Sequence, residues 1–189
     1  MLSEKLENRR LNTVSDLGKL INSKGITTWS ELTKFIHNLP YGRNSNREDF
    51  TLVITEAKGT CSSKHALLKQ VANDNDWDDV ELILAIVKMN AVNTPKISRM
   101  LKNRELNYFP EAHCYLKIGD ERLDYTFPNS YEFIFSEDIL VERIIQPNSV
   151  VDFKVNFHIS YMKQWCSIND HSYDKMWLFR EKCINRLSQ

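Results

Sequence analysis

Cys61, His113 and Asp124 are the residues of this chain whose types, order and surroundings suit chemistry in common. Cys61 stands in Gly59-Thr60-Cys61-Ser62-Ser63-Lys64-His65-Ala66-Leu67-Leu68, where a glycine is followed by the start of an amphipathic helix. His113 lies in Pro110-Glu111-Ala112-His113-Cys114-Tyr115-Leu116, and Asp124 in Arg122-Leu123-Asp124-Tyr125-Thr126. The thiolate is the reactive form of cysteine, and a free thiol titrates near about 8.5. A helix N-terminus favours the thiolate through its unpaired N–H groups and its dipole. The same N–H groups suit the oxyanion of a tetrahedral intermediate. An imidazole can take the thiol proton and return it to a leaving amine, and a carboxylate can orient that imidazole. Such a constellation forms and breaks thioesters.

The elements that must hold these three residues follow from local patterns. After Cys61 the apolar residues fall at Ala66, Leu67, Leu68, Val71 and Ala72, which predicts a helix to about Asn73 with one buried face. Cys61 then opens that helix. Residues 112–118 and 121–127 flank Gly119-Asp120, a two-residue hairpin turn signal. That turn sets Tyr115 opposite Asp124, so His113 shares a face with Asp124 as its diagonal neighbour. A three-residue loop would place the two on opposite faces.

The remaining elements are read more coarsely. Residues 13–39 form two helices, with Thr13 and Thr28 as N-caps, a capping box at Thr28-Trp29-Ser30-Glu31 and a stop at Gly25. Ser45-Asn46-Arg47-Glu48 is a second capping box, which predicts a short helix over 46–56. Residues 79–89 are ambiguous by period, and their β-branched content favours a strand. Asn93-Thr94-Pro95 is a turn before a helical stretch at 96–103, with Asn90 and Asn93 as ordinary turn residues. Residues 139–146 suit a strand, and 155–169 and 172–187 two helices. On the last, Met176, Trp177, Cys183, Ile184 and Leu187 fall on one stripe and are read as core. The sum is an α+β fold, with helices around a small antiparallel sheet.

Each functional reading has a plainer rival. Cys61 as a buried core cysteine is the first, because free cysteine is among the most buried residue types. His113 as a satisfied structural histidine is the second. Cys114 points away from His113 on the same strand and is read as core, as are Cys166 and Cys183. Cys61 and His65, four apart on a helix, could join His113 around zinc, but no CxxC or HExxH motif supports this, and no metal is expected.

The order Cys61, His113, Asp124, the glycine before the cysteine helix and the His–hairpin–Asp unit resemble the transglutaminase-like superfamily, relatives of the papain-like cysteine proteases. The resemblance covers about residues 40–127, and Tyr115 matches an aromatic often found two residues after the histidine. Lys64-His65 departs from it, since many members carry acidic or small residues there. The resemblance implies a papain/transglutaminase-like core with a catalytic Cys61, His113 and Asp124 and no cofactor. Helical extensions then flank that core at both ends of one domain spanning 1–189. It also implies peptide, protein or small-amide substrates, either hydrolysed or transferred to an amine. A binding module that kept the fold without turnover is the alternative. Tyr41, Arg43, Asn44 and Glu56 precede the cysteine helix and are candidates to line the cleft, with Arg43 able to grip a substrate carboxylate; a solvated loop is the competing reading.

Composition narrows the partners. The chain has 189 residues, enough for a sizeable core, and 25 basic against 25 acidic residues leave no net charge. Nothing in that balance favours nucleic acid or an anionic membrane surface. No apolar run of about eighteen residues exists for a membrane span, and the start MLSEKLENRRLN is too polar for a secretory signal. Four cysteines in a chain this long do not make a disulfide scaffold. A reduced, cytoplasmic setting is expected.

Overall fold

Two long strands, β1 (Val80–Asn90) and β2 (Tyr108–Ile118), pair antiparallel along their whole length, from Val80 opposite Ile118 to Asn90 opposite Tyr108. They form the centre of the computed structural model, which describes residues 8–127 and 136–188. The short β3 (Glu121–Leu123) flanks β2, and β4 (Ile139–Ile145) flanks β1 through a register shift at Ile86/Val87. The four-stranded sheet has the order β3-β2-β1-β4 and is antiparallel throughout. Most of the polar start of the chain lies in residues 1–7, outside the described residues.

Both faces of the central strands are covered, which explains the lack of a clear two-residue period in β1. Leu82, Leu84 and Ile86, with Ala112, Cys114, Leu116 and Ile118, pack into one core with three helices, α1 (Asp16–Asn22), α2 (Trp29–Asn38) and α4 (Cys61–Asp74). The odd-numbered residues Ile83, Ala85 and Val87, with Phe109 and Tyr115, pack into the other. That second core is closed by α5 (Ser98–Lys102), α6 (Asp152–Ile168) and α7 (Tyr173–Leu187). Strands buried on both faces read as near-continuous apolar runs.

Local chemistry places the ends. Thr28 and Glu31 form the reciprocal cap of α2. The N-cap of α1 is Ser15, not Thr13: the Ser15 hydroxyl accepts from the Gly18 N–H and donates to Asp74 of α4, a long-range tie the sequence does not signal. Gly25 (φ 77°) turns the chain after α1, and Gly119 (φ 58°) turns the hairpin. The hairpin register sets Leu116 opposite Leu123 and Ile118 opposite Glu121, as a two-residue turn requires. The helix expected over 46–56 is confined to α3 (Leu52–Thr55). Ser45 caps nothing; its N–H and hydroxyl bond Glu56 instead, while Asn46 accepts from the Glu48 N–H. Polar side chains that can close local turns compete in this way with a helix cap. Asn90 and Asn93 are more than turn formers, since both donate to Asp138 before β4.

Candidate active site

Cys61 is the first residue of α4, and the helix start is fastened by a reciprocal cap. The Thr60 hydroxyl accepts from the Ser63 N–H, and the Ser63 hydroxyl accepts from the Thr60 N–H. Gly59 sits before it for reasons of space. A Cβ there would lie 2.8 Å from Lys64 Cγ and 3.1 Å from Ser63 Oγ. Lys64 cannot swing aside, because its buried ammonium donates to the carbonyls of Leu39 (2.6 Å) and Thr126 (2.8 Å). Gly59→Ala is therefore expected to lower stability by about 1–3 kcal/mol through overpacking, read as a fall in the urea midpoint; an unchanged midpoint would show that the contact relaxes freely.

Lys64 and His65, the departure from the superfamily pattern, fasten the aspartate segment to the cysteine helix. The Tyr125 N–H donates to His65 Nε2 at 2.9 Å, so that nitrogen carries no proton and Nδ1–H donates to the Cys61 carbonyl at 2.7 Å. Burial holds His65 neutral, with its pKa lowered to about 4. Both ring nitrogens are thus committed to backbone, which removes His65 as a metal ligand. Among the described residues no group of three or more His, Cys, Asp or Glu side chains is placed to hold a metal ion.

His113 and Asp124 come together as the hairpin register demands. His113 Nε2 lies 2.8 Å from Asp124 Oδ2, and Asp124 Oδ1 accepts from the Thr126 N–H at 2.9 Å. β3 ends at Leu123, so the edge of β2 beyond it is open to the start of α4. There the Cys61 sulfur meets the His113 imidazole and the Cys114 backbone N–H. With Nε2 on Asp124, Nδ1 is the ring nitrogen left for the thiol. The Cys114 side chain points to the face opposite His113, into the core that includes α4, where its thiol meets the Ser62 hydroxyl.

Charge decides the protonation state. Burial alone would raise the Cys61 thiol. The Lys154 ammonium, the His113 imidazolium and hydrogen bonds from His113 and the Cys114 N–H outweigh it and bring the thiol down to about 6. Burial opposes a charged His113, but Asp124 and the Cys61 thiolate carry it up to about 10. Asp124 is held well below the usual carboxylate range, against the effect of burial, by His113 and the Thr126 hydroxyl. At neutral pH the resting site is a thiolate–imidazolium pair beside a carboxylate.

Cys61 is only 7% exposed, yet it faces a cavity of about 140 Å³. Tyr41, Arg43 and Asn44 line that cavity, because Pro40–Gly42 pairs with Gly59 through two backbone hydrogen bonds. Glu56 does not line it. Its carboxylate accepts from Ser45 and Asn44 and shapes the loop from behind. Arg43 is not left waiting for a substrate carboxylate, since its Nη2 donates to Glu181 at 2.8 Å.

The far wall comes from helices outside the stretch that carries the sequence resemblance. Lys154 and His158 of α6 and Trp177, Arg180 and Glu181 of α7 all line the cavity. Arg180 grips buried Glu111 with two nitrogens, Nε at 2.8 Å and Nη2 at 2.5 Å. Glu111 is pulled down to about 2 against the effect of burial, chiefly by Arg180. Trp177, expected in the core, is half-buried on this wall. Its i, i+3 spacing to Arg180, like the i, i+4 spacing of Lys154 and His158, is the one sequence signal for this wall.

Nothing among known protein families, curated proteins or solved structures matches this chain. Among the described residues no helix is long and apolar enough to cross a membrane.

Proposed function

We propose that the chain is a cysteine-dependent acyl-transfer enzyme with a papain- or transglutaminase-like core, acting on a peptide, protein or small amide. The observation that carries this reading is one constellation: a buried thiol at a capped helix start, in contact with an imidazole whose other side is held by Asp124 at 2.8 Å. The Cys61 thiolate attacks the carbonyl carbon, forming a C–S bond and moving an electron pair onto oxygen. Collapse breaks the C–N bond, and the His113 imidazolium gives its proton to the departing amine. His113 then takes a proton from water or from an acceptor amine, whose attack breaks the C–S bond and restores the thiolate. Water as acceptor gives hydrolysis, and an amine gives transfer. Asp124 keeps the ring oriented and its cationic form stable throughout.

p-Nitrophenyl acetate tests the first half-reaction. Wild-type protein is expected to gain one acetyl group on Cys61, shown by intact mass and peptide mapping. Cys61→Ala, with unfolding unchanged, should gain none there. Equal acetylation of Cys114, Cys166 and Cys183, or none on Cys61, would defeat the reading in favour of a binding module.

A further inference from the structure

We infer that Lys154 is a catalytic residue, supplying through its ammonium the side-chain donor that holds the oxyanion when Cys61 is acylated. The inference rests on the acyl-transfer reading and completes it, since the Cys61 N–H is the donor the helix start offers.

The argument starts from placement. Lys154 lies near the start of α6, 93 residues from Cys61 in sequence, and its Nζ stands 3.7 Å from Cys61 Sγ. Nζ also donates to the hydroxyl of Ser62, which fixes its direction across the mouth of α4. His113 reaches the sulfur from the sheet, while Lys154 reaches it from α6 and lines the cavity. An oxyanion is bonded to the carbon that joins the sulfur, so it forms within the reach of a donor already touching that sulfur. A useful donor must lie roughly 2.7–3.1 Å from that oxygen, a small advance of the amine from its resting place.

The electrostatics ask for the same role. A half-buried ammonium needs an anion. Among the described residues Lys154 has no carboxylate within ion-pair distance. The charged and titratable groups around it are Cys61, Cys114, Glu111, Arg180 and His158, the last held neutral by burial. Glu111 is already gripped by Arg180, and Cys114 is a neutral thiol pushed up to about 12 by burial. The thiolate is thus the counter-ion of Lys154 at rest. Attack on a carbonyl removes that charge from sulfur and re-creates it on oxygen. Lys154 follows the charge, its partner passing from Sγ to the oxyanion and back as the thioester forms and is broken.

Two probes separate the roles. Iodoacetamide alkylates the sulfur by displacing iodide and forms no oxyanion. p-Nitrophenyl acetate acylates it through one. In Lys154→Met the pH midpoint of alkylation should rise by roughly one to three units, because a cation has left the thiolate. At a pH where the thiolate is fully formed in both proteins, alkylation should match wild type while acylation falls roughly 100- to 1,000-fold. Lys154→Gln, which keeps a partner for Ser62, should show the same split, and Lys154→Arg should recover most of the alkylation midpoint. Unfolding curves accompany each variant, and the ratio of acylation to alkylation is insensitive to a general loosening. Plateau acylation at the wild-type rate in Lys154→Met and Lys154→Gln overturns the assignment, even with a shifted midpoint. Wild type that alkylates on Cys61 but never acylates there overturns the acyl-transfer reading and this assignment with it.

Discussion

Replacing His113 by alanine is expected to slow p-nitroacetanilide cleavage roughly 100- to 10,000-fold, while p-nitrophenyl acetate acylation falls much less. The anilide leaves as a poor anion unless His113 protonates it, and the nitrophenolate leaves unaided. The pH profiles separate the two partners further. In wild type the thiolate forms as pH rises through about 6, so alkylation should climb there and stay flat above. Anilide cleavage should climb over the same range and fall again as pH rises through about 10, where the imidazolium is lost. In His113→Ala the lower midpoint should move upward, because a cation and a hydrogen bond leave the thiolate. Equal losses on ester and anilide, or an unmoved midpoint, would remove His113 from proton transfer.

The second large effect is on stability. Glu111→Ala should destabilise the protein by about 3 kcal/mol, since it takes two charge-assisted bonds from the Arg180 guanidinium, only 13% exposed, and leaves it with Glu181 alone. The double change Glu111→Leu with Arg180→Met removes both charges and should cost less than the single one. Equilibrium urea unfolding of wild type, Glu111→Leu, Arg180→Met and the double variant, beside Glu111→Ala, decides this at neutral pH; additive losses would show that the two residues do not act as a pair. Acid provides an independent check. Glu111 titrates lower folded than unfolded, so its contribution is present above the ordinary value of 4.5 and is lost as pH falls toward about 2. The variant lacking Glu111 should therefore lose less stability than wild type over that interval.

The parts of the site that the chain announces are those set by short-range rules. A two-residue turn fixes hairpin register, and that alone placed His113 beside Asp124. The apolar period of Ala66, Leu67, Leu68, Val71 and Ala72 placed Cys61 at the helix mouth. The cap itself was harder to read, because Ser63 stands where Glu or Gln usually completes the box. The same motif misled at Ser45-Asn46-Arg47-Glu48, where Glu56 captures Ser45 before it can cap. β1 offered no period because it is buried on both faces. Lys154, Arg180 and Trp177 were out of reach for a different reason. Each sits on an ordinary amphipathic helix, and only the packing of α6 against β2 and of α7 on α6 brings those positions to the cavity that Cys61 faces. Lys64-His65 looked like a mismatch and proves to be the fastening between the aspartate loop and the helix.

The wall built by α7 has a consequence for how this protein comes into being. Synthesis runs from the N-terminus, so the cysteine helix and the histidine hairpin leave the ribosome well before Trp177, Arg180 and Glu181. Until those residues dock, Glu111 lies under no guanidinium, Arg43 has no Glu181 to hold, and the cavity lacks one side. A nascent chain halted before residue 173 carries Cys61, His113 and Asp124, yet has no finished chamber beside them. Under the proposed reading, the chamber for a substrate is thereby finished only in the closing moments of folding, after every residue that tunes the Cys61 thiol is already in place.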